Sequence, residues 1–159
     1  MPTRAQVNKV DEHQGGNTNL MRAALDGDLE SVKLLAASGA QVNERNNEGR
    51  TPLMFAAINR HTESAKELLA QGADANAKAD DGGTALMLAA SSGDKQLVQL
   101  LLAHGADASN KYYKTGQTAI TIAREHGFDD IVQLLQEAEA RQQPEPKASS
   151  AGGHAVGTG

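Results

Sequence analysis

No cysteine and no tryptophan occur among the 159 residues, and phenylalanine and tyrosine appear twice each. The missing cysteine excludes disulfides, thiolate metal sites and a thiol nucleophile. The shortage of aromatics leaves Leu, Ala, Val, Ile and Met to build any core, a palette that suits close-packed helices. Basic charge is also short: 15 Lys plus Arg face 20 Asp plus Glu, a formal charge of −5, whereas binders of nucleic acid or anionic membrane present a basic face. No uncharged run approaches the roughly 20 residues that cross a bilayer, and no apolar stretch follows Arg4 and Lys9. These absences predict a soluble, untargeted, cytoplasmic protein of about one domain, with neither nucleic acid nor membrane among its partners.

What the chain does have is a period. Thr18-Asn-Leu-Met, Thr51-Pro-Leu-Met, Thr84-Ala-Leu-Met and Thr118-Ala-Ile-Thr place Leu20, Leu53, Leu86 and Ile120 at spacings of 33, 33 and 34. In the same register stand Ala23, Ala56, Ala89 and Ala123, then Gly27, Arg60, Gly93 and Gly127, then Leu35, Leu68, Leu101 and Leu135. Gly39-Ala-Gln-Val-Asn, Gly72-Ala-Asp-Ala-Asn and Gly105-Ala-Asp-Ala-Ser close the first three units.

Each unit reads as two short helices and a turn. Thr51 caps the amides of a first helix, A, and Pro52 fits its first position because it has no N–H to satisfy. Gly27, Gly93 and Gly127 end helix A by adopting a left-handed conformation without a Cβ penalty. Asp28, Asp94 and Asp129 are the expected N-caps of a second helix, B, whose Leu97, Val98, Leu101 and Leu102 share one face. Gly39, Gly72 and Gly105 end it.

On these motifs the chain, from about Asn17 to Ala138, resembles the ankyrin repeat family, with its Thr-Pro-Leu-His, Ala-Ala, Gly, Leu-Leu and Gly-Ala-Asp-x-Asn pattern. The resemblance implies an all-α solenoid of four stacked helix-turn-helix units with hairpin-like fingers. It also implies that a partner protein is bound by the finger tips and the exposed residues of helix A. Carried over, these are Arg45, Asn47, Glu48 and Arg50 in the first finger, and Lys78, Asp80 and Asp81 in the second. Lys111, Tyr112, Tyr113 and Lys114 belong to the third, and Ile58, Asn59, Ser91, Ser92, Glu125 and His126 line the groove. Two departures stand out. Met21, Met54, Met87 and Thr121 replace the usual His, so the family's His hydrogen bond is expected to be missing from every unit. Arg60 replaces the usual Gly, at a cost of about 1 kcal/mol if it turns left-handed; Asn59 is the alternative carrier of that conformation.

The expected division is a cover segment at 1–16, a repeat domain at 17–143 (units near 17–46, 49–79, 82–113 and 116–143) and a disordered tail at 144–159. Ala5-Gln-Val-Asn copies Ala40-Gln-Val-Asn, so residues 5–16 read either as a finger-like cover, the favoured reading, or as the remnant of an earlier repeat. Arg124 stands where Ala24, Ala57 and Ala90 stand, which marks the fourth unit as a polar cap. Its helix B lacks a closing Gly and runs to Pro144. The tail is Pro, Ser, Ala and Gly with Val156 as its one branched apolar residue, too little to offset ordering.

Catalytic chemistry is not in evidence. No phosphate loop, dinucleotide fingerprint or Gly-x-Ser-x-Gly elbow occurs. Asp74-Ala-Asn-Ala-Lys-Ala-Asp-Asp-Gly fails as a calcium loop at Ala79 and Ala85. The five histidines show no i, i+4 pair. The chain is therefore read as a non-enzyme with no metal and no cofactor. The Met row is read as core filling in preference to a pliable groove. The tyrosine hairpin, Asn110-Lys-Tyr-Tyr-Lys-Thr-Gly, carries the one-residue insertion and both tyrosines; either it is a binding hot spot or one ring packs back while the other is idle. The leading function is a protein-interaction module acting as a monomer on a partner of mixed charge. The competing function is a structural spacer or self-assembling scaffold.

Overall fold

Threonine opens every helix A. Thr18, Thr51, Thr84 and Thr118 are extended, and each Oγ1 accepts from the third amide of the helix it precedes, at 3.2 to 3.4 Å. In the computed structural model, which describes residues 2–143, these helices are α2 (Asn19–Asp26), α4 (Pro52–Ile58), α6 (Ala85–Ser92) and α8 (Ala119–Glu125). Each is followed by a helix B: α3 (Leu29–Ala37), α5 (Thr62–Ala70), α7 (Lys95–Ala103) and α9 (Asp129–Gln142). Ahead of them lie a one-turn helix α1 (Arg4–Val7) and a two-stranded antiparallel ladder of β1 (Val10–Asp11) with β2 (Asn17–Thr18). The tail expected at 144–159 lies outside the described residues.

The pairs stack in chain order, α2 on α4, α4 on α6 and α6 on α8, with α3, α5, α7 and α9 forming the second layer. Ala24, Ala57 and Ala90 are wholly buried where the A helices approach, and Leu68, Leu101 and Leu135 are wholly buried in the B layer. Met21, Met54, Met87 and Phe55 belong to this core, so the methionine row fills space between units.

Three local expectations change. Arg60 itself takes the left-handed conformation (φ 60°), while Asn59 stays at φ −103°. The reason is in the Asn59 side chain, whose Nδ2 donates to Leu25 O of the preceding unit at 2.9 Å and so holds that residue in place. Asp129 is not a cap: Phe128 occupies the N-cap of α9 and makes no side-chain bond, and Asp129 is the first helical residue. Its charge instead favours the positive end of the helix dipole. The missing histidine bond is replaced in two units. Thr121 Oγ1 accepts from Thr118 N at 2.8 Å, and Met21 Sδ accepts from Thr18 N at 3.4 Å.

Between the helix pairs the chain leaves the stack as fingers, and a bidentate amide bond ties each finger base to the next. Asn8 Nδ2 donates to Gly39 O while its Oδ1 accepts from Gln41 N. Asn43 repeats this on Gly72 O and Asp74 N, and Asn76 on Gly105 O and Asp107 N. The residue at the Asn8 phase in the last finger is Ser109.

Candidate functional interface

The finger tips form one row because each donates a backbone bond to its predecessor. Asn47 N reaches Gly15 O, Asp80 N reaches Glu48 O and Tyr113 N reaches Asp81 O, at 2.9 to 3.0 Å. Every tip is a tight hairpin, closed by Asn46 N to Arg50 O, Ala79 N to Gly83 O and Tyr112 N to Gln117 O. The segment at 10–18 supplies a further tip ahead of the three expected ones, and Arg22 of α2 pairs with its Asp11 at 2.6 Å.

The two tyrosines lie over the double glycine of the neighbouring tip. A Cβ on Gly83 would collide with the Tyr112 ring, and one on Gly82, at φ 88°, would press on Tyr113 and on Lys111 O. Tyr112 is therefore half-buried on the second finger, beside Asp81 and Arg50. Burial, joined by the Asp81 charge, pushes its phenol above the ordinary range and Arg50 partly offsets this. Tyr113 uses the same seat differently: its backbone is held by Asp81, yet 67% of the residue stays exposed.

Of the other expected contact residues, several are already engaged. Arg45 pairs with Asp80 across two fingers at 3.4 Å, and Arg50 with Glu48 within one at 3.1 Å. Asp81 Oδ1 accepts from Gly83 N. Asp107, at the base of the third finger, accepts from Ser109 Oγ and Ser109 N; both bonds hold its carboxyl below the usual range, with Lys78 adding to the effect. Lys111 and Lys114 are exposed.

The groove residues divide. Ile58 is half-buried and Ser91 exposed. Asn59 and Ser92 bond carbonyls of the preceding unit, Leu25 O and Ala57 O. Glu125 accepts from Gln117 Nε2 at 2.7 Å. His126 lies with Nδ1 2.9 Å from Ile122 O, and its ring stacks on Phe128 at 5.7 Å between centroids. Sequence reasoning missed Arg22 and Asp11, because their pairing depends on how the 10–18 hairpin folds back; the signal that existed was Arg22 at the phase of Phe55 and Leu88.

Two open clefts lie at the ends of the finger row. One, of about 460 Å³, is lined by Lys9, Asp11, His13 and Arg22 among others. The other, of about 700 Å³, is lined by Gly105, Asp107, Lys111, Glu139 and Gln142 among others. No helix among the described residues is long and apolar enough to cross a membrane.

The family model described as ankyrin repeats (3 copies) matches residues 3–79 and again 67–145. No curated protein matches the chain. The matched spans overlap and together cover both the first finger-like hairpin and α9, so the chain belongs to the ankyrin repeat family, whose repeats are generally protein–protein interaction modules and typically non-enzymatic.

Proposed function

We propose that the chain binds another protein, as a single copy, through its finger row and the adjoining ends of the A helices, with Tyr113 as the anchor. The observation that carries this is a large aromatic residue, 67% exposed, on a backbone hydrogen-bonded to the neighbouring finger. Such a ring offers much contact area and loses little freedom on binding. Lys111 and Lys114 flank it and Asp81 lies beside it, which suits a partner surface of mixed charge. A single copy fits the polar last unit, where Arg124 is exposed at the phase of three buried alanines.

The test begins with cross-linking and affinity capture in the native cell to obtain the partner. Tyr113→Ala should then weaken binding by at least about 2 kcal/mol, roughly 30-fold, with the melting temperature unmoved. Tyr112→Ala is the less clean variant because that ring is half-buried and its edge lies against Gly83. A Tyr113→Ala protein that binds its partner at full strength would remove the anchor from the proposal.

A further inference from the structure

Finger three differs from the others at its base. Its Gly105 O and Asp107 N are taken by Asn76, as the repeat dictates. The intervening groups, which point the other way along an extended chain, are taken as well: Gln142 Nε2 donates to Ala106 O at 2.9 Å, and Ala108 N donates to Gln142 Oε1 at 3.0 Å. The equivalent amides in the earlier fingers, Val42 N and Ala75 N, donate to no protein group among the described residues. A second amide clamp, with the same two-bond geometry as the asparagine ladder, thus closes on the opposite edge of this one finger.

The source of Gln142 explains why it is there. Among the described residues the fourth unit has no finger of its own, and its α9 continues past the point where α3, α5 and α7 end. The added length buries Ala138 and carries Gln142 to the base of the third finger. Glutamine, coming from a helix, has the reach that a shorter amide lacks.

We infer that Gln142 is a positioning residue, clamping the outer edge of the third finger and holding the tyrosine finger in register. Ala108 is four residues from Tyr112, so fixing the finger base limits the orientations open to the tip. A tip ordered before binding loses less entropy when it binds. The importance of the clamp for a partner rests on the reading of Tyr113 as anchor; the clamp itself does not.

The experiment is site-resolved amide hydrogen exchange on the full chain for Gln142→Ala and Gln142→Glu. Gln142→Ala should speed exchange of Ala108 by about tenfold, the effect of losing a net hydrogen bond. Tyr113, whose amide depends on finger three meeting Asp81, should also speed up. Asp107, held by Asn76, should not. Gln142→Glu keeps an acceptor for Ala108 N but loses the donor to Ala106 O, so protection of Ala108 should return in part. An unchanged Ala108 in Gln142→Ala, an unchanged Tyr113, an absence of rescue by Glu, or a uniform rise across α6–α8 would each overturn the inference. None of these outcomes depends on a partner, so a failure here is distinct from a failure of Tyr113 in the binding assay.

Discussion

The two ends of the stack are closed by opposite halves of a repeat. At the amino end there is a finger without its helix pair: Val7 is buried against the core, Asn8 clamps the next finger, and Asp11 holds Arg22. At the carboxyl end of the described residues there is a helix pair without a following finger, and its α9 is longer than the other B helices. The consequences differ in the B layer. Among the described residues no earlier helix B stacks on α3, so Leu34 is 65% exposed and Leu35 only half-buried, and Val32 is the one fully buried residue of that helix. Leu134, at the phase of Leu34, is half-buried and shares a lining with Leu102 and Ala103 of α7. A finger alone covers the finger side of a unit. A helix pair covers both layers, and most of the burial lies there.

The comparison breaks most visibly under core truncation. Leu135→Ala, at a wholly buried site of the carboxyl cap, should cost about 2–5 kcal/mol. Val7→Ala, its counterpart at the amino end, removes two methyl-sized groups and should cost roughly 1–2 kcal/mol at about 0.8 kcal/mol each. Urea unfolding measures both. A Val7→Ala variant as damaging as Leu135→Ala would mean that the short amino-terminal cover carries as much of the stack as a helix pair does.

Much of this was legible in the sequence, and the reasons it was or was not are physical. The threonine caps, the buried leucine phases and the core role of the methionines follow from local chemistry repeated in register. The finger row follows too, and the expected tip residues sit in it. What was not legible depends on contacts a whole repeat away. Asn59 is held by Leu25 O, which leaves the turn to Arg60. Phe128 packs over Gly93, so the cap phase of the fourth unit serves a ring and not a carboxylate. Asn59 and Ser92, at groove positions of the repeat, each also give a side-chain bond to a carbonyl of the preceding unit, which the sequence does not signal. Gln142 belongs to a stretch that reads only as a polar helix former, and its role appears once α9 and the third finger are side by side.

Acid should separate the ends by a smaller margin. Asp28 caps α3 near the amino end, and Ser31 Oγ and N hold its carboxyl below the ordinary range. Asp107 is held low by Ser109 at the other end of the finger row. A carboxyl whose pKa is depressed on folding contributes stability that is present above its unfolded value, about 3.9. That contribution is lost as pH falls through the folded value. Thermal melts between about pH 5 and pH 2 should therefore decline, less steeply in Asp28→Asn and Asp107→Asn than in the parent. Exchange at acid pH should loosen α3, the less covered helix, before α9. Parallel declines in parent and variants would show that neither carboxyl contributes.

The smallest effect is expected at an interior turn, where neither cap acts. Arg60 holds φ 60° where Gly27, Gly93 and Gly127 stand in the other units at φ 69° to 74°. A left-handed non-glycine residue carries a cost of about 1–2 kcal/mol, while glycine brings back about 0.5–1 kcal/mol through the extra freedom of its unfolded chain. The difference favours Arg60→Gly by a few tenths to about 1 kcal/mol. The Arg60 side chain is exposed, so nothing packed is lost. The neighbouring contact, Thr62 Oγ1 donating to Asp94 Oδ2 at 2.6 Å, does not involve it. Asn at the same place tolerates the conformation better than arginine, and Arg60→Asn should fall between the two. Because the change is interior, it should raise the midpoint of the whole transition while leaving α3 the first helix to exchange and α9 a later one. A stabilised protein in which that order reversed would show that the weakness of the amino end comes from the turn at Arg60 and not from the lack of a helix B stacked on the outer side of α3.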